Sequence, residues 1–137
     1  IHVHRKAEAT CWSNFKHYFP DTGFGYCYNL NDTVNYYKMY HELMTCWKNL
    51  YPNHIYDTDY EKLTANQEIE TEKLIRYLDL KWESACLYPH KNKRSVRTAS
   101  QQQVRRKIYQ GSSEVWTRYA PYLNGALSPL KTLKISN

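Results

Sequence analysis

The stretch IHVHRKAEATCWS, residues 1–13, constrains the fold more than any other part of this 137-residue chain. Ile1 to His4 alternate β-branched residues with histidine, the pattern of a strand end. Lys6, Ala7, Glu8 and Ala9 are helix formers, and the apolar positions then change to helical spacing through Trp12, Phe15 and Phe19. Strand, tight turn and helix in direct succession is the geometry that gathers ligands at the carboxyl end of an α/β sheet. Two side chains at this junction suit a phosphate. Arg5, at the strand end, offers a planar donor fork, and Ser13, two turns into the helix, a neutral hydroxyl. A surface or salt-bridged arginine is the simpler alternative for Arg5 taken alone.

Downstream, Phe19-Pro20-Asp21-Thr22-Gly23-Phe24-Gly25 is a turn cluster that ends the first helix. A long helix follows, with Asn31 or Asp32 as its expected cap and Leu30, Val34, Tyr37, Tyr40, His41, Met44, Trp47 and Tyr51 as one apolar stripe facing the core. Pro52 and Asn53 stop it. His54 to Tyr60 then forms a second strand, and strand–helix–strand implies a parallel pair. Thr64 and Gln67 make a capping-box pattern opening a helix to about Leu78, and Trp82, Ala85 and Leu87 suggest a further turn. Residues 88–111 are poor in apolar groups and form a long surface loop. A last helix starts near Ser112 or Ser113 and contains Pro121, which kinks it. From Ser128 the periodicity vanishes, so residues 128–137 are expected as a loosely held tail to a domain at 1–127.

The charge is uneven along the chain. Residues 1–87 hold nine Lys/Arg against twelve Asp/Glu, a net −3, whereas residues 88–137 hold ten against one, a net +9. This asymmetry points to an anionic partner, a nucleic acid or a phosphorylated small molecule. The segment KNKRSVRTASQQQVRRK concentrates it in Lys91, Lys93, Arg94, Arg97, Arg105, Arg106 and Lys107. Such a segment is a solvated face, an RNA-binding arm or a clamp over a phosphate. The RNA reading wants interleaved aromatics, and only Tyr109 is near.

Other chemistries find less support. His2 and His4 share one face of a strand, but no third ligand lies at metal spacing. Cys11, Cys27, Cys46 and Cys86 are irregularly spaced without a CxxC, which reads as reduced cysteines in a cytosolic, bacterial protein. No apolar run long enough for a membrane span and no leader are visible. The 14 tyrosines take much of the buried share that Leu and Val usually fill, so many core hydroxyls need partners.

Five stretches in order, HVHRKAEATCWSNFKHYF, NYYKMYHELMTCWKNLYP, YEKL, RSVRTASQQQVRRKIY and VWTRYAPYL, together resemble the C-terminal half of a PAPS-dependent sulfotransferase. The resembling group is the one often fused to tetratricopeptide repeats and related to tyrosylprotein sulfotransferases. The resemblance implies that Arg5 and Ser13 bind the ribose 3′-phosphate of the donor. It implies that Tyr60, of the YE-L motif, lies beside the adenine, and that Glu61 is structural. It implies further that Ser100 and Arg106 approach the cofactor, with Arg105 as the neighbouring alternative. The family places Asp or a similar residue and then Pro after its strand-end arginine; here Lys6-Ala7 alters that turn.

The same resemblance implies a helix-dominated α/β fold, a part of the P-loop-type three-layer sulfotransferase architecture with few parallel strands. No GxxxxGKS-type loop occurs in the chain. The family's phosphate loop and its catalytic base, a His or Glu, would precede residue 1. The expectation is therefore a truncated sulfotransferase that carries the 3′-phosphoadenosine side of a PAPS/PAP site without the catalytic residues, is inactive alone, and uses no metal. Its parent would transfer a sulfuryl group to a hydroxyl acceptor. Exposed sheet edges would favour a homo-oligomer. The competing expectation is a basic helical module that binds nucleic acid or an acidic partner with no nucleotide-dependent activity.

Overall fold

The computed structural model describes residues 1–20, 22–95 and 102–133. The chain divides into two compact units: Ile1–His4 with Tyr56–Gln110, and Arg5–Ile55 with Gly111–Asn137.

The first unit is built on two parallel strands, β1 (His2–His4) and β2 (Asp57–Asp59), in the register His2 to Asp57, Val3 to Thr58 and His4 to Asp59. The amide of His2 donates to the Tyr56 carbonyl at 2.8 Å, and its ring Nδ1 lies 2.6 Å from Asp57 Oδ1. The parallel pairing expected from strand–helix–strand is present. The second strand is shorter than 54–60, because Asp59 already serves the next element. Its carboxylate accepts from the Lys62 amide at 2.9 Å and so caps α3 (Tyr60–Ala65).

That cap also removes the Thr64–Gln67 capping box. Thr64 is inside α3 and donates its hydroxyl to the Glu61 carbonyl at 3.1 Å. Instead α4 (Gln67–Tyr77) starts from Asn66 with no side-chain cap. It is anchored by Gln67, whose Nε2 donates to the Leu87 carbonyl at 2.8 Å, and by the Tyr56 and Tyr77 rings, 4.6 Å apart. Short 3-10 turns at Ser84–Leu87, Pro89–Lys91 and Gln103–Arg105 punctuate the exposed segment that follows.

The second unit carries the larger core. α1 (Ala7–Phe15) ends earlier than the apolar spacing suggested, and Phe19 leaves the helix to stack on Phe24 at 4.7 Å. Pro20 keeps Phe19 out of any helix, since the residue before proline avoids the helical region. α2 (Leu30–Leu50) is capped by Asn29, not by Asn31 or Asp32: Asn29 Oδ1 accepts from both of their amides, at 2.8 and 3.3 Å. Just inside it, the buried Thr33 shares its hydroxyl proton between the Tyr26 and Asn29 carbonyls at 3.0 and 2.9 Å.

Cys11, Leu30, Val34, Leu127 and Leu130 form the buried centre, with Phe15, Tyr37, Trp116 and Leu123 packed around it. Of the expected α2 stripe only Leu30 and Val34 are buried, and Tyr37, Tyr40, His41 and Met44 are half-buried. Trp47 and Tyr51, at its end, are 49% and 56% exposed. The last expected helix is a 3-10 run, Ser112–Tyr122. Pro121 has no amide proton to donate within it. Residues 128–132, expected to begin the loose tail, make another 3-10 turn whose Leu130 is only 3% exposed.

Candidate functional site

The junction of β1 with α1 is where the sequence and the structure converge. The chain leaves His4, passes Arg5 and Lys6, and enters α1 at Ala7. Lys6 is the N-cap residue, and no side chain caps the helix there. Unsatisfied amides at a helix start form an anion-seeking end. Lys6 itself reaches across to pair with Glu114.

Arg5 is half-buried, and its guanidinium is gripped by two hydroxyls. Nε donates to Ser113 Oγ at 2.9 Å, and Nη2 donates to Ser112 Oγ at 3.2 Å. Ser113 is 5% exposed, so this partner is fixed by packing as well as by the bond. Gly111, at φ 88°, makes the left-handed turn that delivers Ser112 and Ser113 to the arginine. Both partners are neutral. They orient the donor fork, and a guanidinium held in a fixed direction suits the planar, paired recognition of phosphate oxygens.

Ser13 is half-buried on α1, in the same unit as Arg5. Tyr60 and Arg106 belong to the other unit. Tyr60 is the first residue of α3, directly after β2. Arg106 is exposed, at the end of the Gln103–Arg105 turn. Arg105, the neighbouring alternative, donates from Nη2 to the Arg94 carbonyl at 2.6 Å. Ser100 lies outside the described residues.

Ser112, Ser113 and Glu114 are the residues that sequence reasoning missed. Ser112 and Ser113 mark an element start, but their partner stands 107 and 108 residues away, beyond any local pattern.

The alternative chemistries find little geometry. Cys11 is fully buried and donates toward the Thr33 carbonyl at 3.9 Å. Burial, with the Glu8 charge second, pushes its thiol up to about 12, so it is a core thiol and not a nucleophile. All four cysteines are free thiols. Among the described residues no group of three or more His, Cys, Asp or Glu is placed to hold a metal, and no helix is long and apolar enough to cross a membrane. A shallow groove of about 420 Å3 beside α4, lined by Glu72, Ile75, Arg76, Asp79, Leu80 and Trp82, involves none of the candidate site residues Arg5, Ser13, Tyr60 and Arg106.

Comparison with known proteins bears on the family of the chain. The sulfotransferase family model matches residues 1–84, which includes β1, α1, α2, β2 and α3. An uncharacterized protein of Aquifex aeolicus (strain VF5) is 33% identical over 133 residues, covering 96% of this chain and 18% of its own length. The chain thus spans about a fifth of that relative. No solved structure matches. With the family model matched over more than half of its residues, the chain belongs to the sulfotransferase family.

Proposed function

We propose that this chain is a sulfotransferase-like domain segment that binds the 3′-phosphoadenosine side of PAPS or PAP. The observation that carries the reading is the clamped Arg5 at the β1–α1 junction, inside the region matched by the family. A 3′-phosphate bears close to two negative charges and is best met by an oriented guanidinium, a hydroxyl and an uncapped helix start. Arg5, Ser13 and the amides opening α1 supply those three kinds of donor. Tyr60 is assigned to the adenine and Arg106 to the outer face of the nucleotide, with Ser100 as a further contact, on the strength of the family resemblance.

In this reading the domain is the part of a P-loop-type three-layer architecture that holds the nucleoside end of the donor. PAPS supplies the sulfuryl group, and a hydroxyl compound accepts it in the longer parent protein. This chain orients the nucleotide; the 5′-phosphosulfate grip and the catalytic base belong to other parts of that parent.

Calorimetric titration of the chain with PAP, with 5′-AMP and the Arg5→Ala variant as controls, tests the proposal. The expected result is that PAP binds, AMP binds far more weakly, and Arg5→Ala removes the difference. If PAP and AMP both fail to bind a folded sample, the proposal is overturned. A steep loss of RNA binding with added salt, carried by Lys91, Lys93, Arg94 and Lys107 and indifferent to Arg5, would then mark the basic-module reading.

A further inference from the structure

α2 has two apolar faces, and only one packs on the core. Leu30, Thr33 and Val34 are buried, and Tyr37 packs beside them against the core. On the opposite side Met39, Leu43 and Leu50 stand 65%, 52% and 65% exposed, with Trp47 at 49% beside them, and Tyr36, whose ring stacks on Tyr26 at 3.9 Å, keeps 50% of its surface open. Cys46, on the same side, is exposed as well. The solvent side of a helix that packs by one stripe is normally polar, so this inversion needs a partner.

The spacing of the open side is specific. Positions 36, 39, 43, 46 and 50 are three and four residues apart in alternation, the a/d repeat of a coiled coil, with Tyr36, Leu43 and Leu50 at a and Met39 and Cys46 at d. We infer that a second copy of this chain covers this seam, α2 against α2 of the partner, parallel and in register. An identical helix presents the same repeat, so its knobs meet holes of matching spacing along the whole seam. The apolar side chains offer roughly 100 Å2 each, hence about 1,200 Å2 in total over two chains, the lower bound of specific interfaces. The edges of the two-strand sheet, with three residues per strand, offer much less.

Electrostatics selects the parallel arrangement. Layering the repeat antiparallel, residue 36 on 46 and 39 on 43, centres the pair near residue 41 and sets Glu42 beside its own copy. In the parallel pair Glu42 flanks the seam opposite Trp47 of the other chain, five residues on, where the indole N–H can donate to the carboxylate. The parallel register also stacks Cys46 on Cys46, whereas the antiparallel one separates the two sulfurs by about 15 Å along the axis.

The test is sedimentation velocity of the 137-residue chain over about a hundredfold range of concentration, with and without copper–phenanthroline oxidation. The expected result is a monomer–dimer equilibrium that Leu43→Glu weakens at least ~30-fold, and oxidation that yields a covalent dimer lost in Cys46→Ser but kept in Cys86→Ser. Circular dichroism checks that Leu43→Glu remains folded; should it unfold, Met39→Lys replaces it. A chain that stays monomeric overturns the inference, as does a dimer that neither Leu43→Glu nor Met39→Lys affects. A dimer broken by Leu43→Glu but not cross-linked through Cys46 overturns the parallel register.

Discussion

Removing the Ser113 hydroxyl while leaving Arg5 in place asks whether the clamp matters for the phosphate. Ser113 is 5% exposed and accepts from Arg5 Nε at 2.9 Å. A hydrogen bond to a charged group contributes about 1.5–3 kcal/mol, and the lower end applies here because Arg5 is itself only half-buried. If that loss falls on the orientation of the guanidinium, about 1.4 kcal/mol is tenfold in affinity. Ser113→Ala should therefore weaken PAP about tenfold in a calorimetric titration while leaving 5′-AMP, which has no 3′-phosphate, unchanged. Ser112→Ala, losing a 3.2 Å bond to a half-exposed hydroxyl, should cost less, about two- to fivefold. In an Arg5→Ala background neither serine substitution should matter for PAP, since the two act through one group. Equal weakening of PAP and AMP by Ser113→Ala, or an effect that survives in the Arg5→Ala background, would refute the reasoning.

Other expectations concern stability and reactivity. Asn29→Ala, which removes both cap bonds of α2, should lower stability by about 1 kcal/mol in urea denaturation. Leu130→Ala should cost about 2–5 kcal/mol, the range for a core leucine, and a cost near zero would show that residues 128–132 do not close the core. The Cys11 thiol, raised from 9.0 to about 12, favours the folded state fully below pH 9, and that contribution is lost as pH rises from there toward 12. Tyr26, raised from 10.0 to about 12 by burial and then by its bond to Cys27, adds to the same alkaline decline. Urea midpoints measured at about pH 8 and pH 10.5 should fall less steeply in Cys11→Ala than in the parent chain. Cys46 and Cys86 should react quickly with a thiol reagent in the folded protein, and Cys11 and Cys27 only after unfolding.

What could be read from the residues depended on how local the cause was. The β1–α1 junction was legible because alternation gives way to helical spacing within a dozen residues. The parallel pairing followed from the same logic. Caps were harder. Asn29, Asn31 and Asp32 are all good capping residues, and the choice fell to Asn29 because the preceding 3-10 segment ends there. Thr64 and Gln67 have capping-box spacing, yet Asp59 had already started a helix upstream. The α2 stripe was sound as a pattern, but the core beneath it extends only along the first half of the helix. The Arg5 clamp was illegible, since nothing near Ser112 and Ser113 in the sequence refers to residue 5.

The second unit draws its core from both ends of the chain, and this has a consequence for how the protein is made. Cys11, Leu30 and Val34 are synthesised first, but Leu127 and Leu130, which close over them, follow about a hundred residues later. The sheet waits about half as long, since residues 2–4 pair with 57–59, 55 positions on. Contacts so distant along the chain bear their loop-closure cost before any contact rewards it, which slows folding. At ribosomal rates of about 5–20 residues per second, α1 and α2 spend several seconds outside the tunnel with their apolar sides uncovered. A nascent chain stalled before residue 127 should accordingly be held by chaperones and cut readily by proteases, and a chain stalled well beyond residue 133 should resist both.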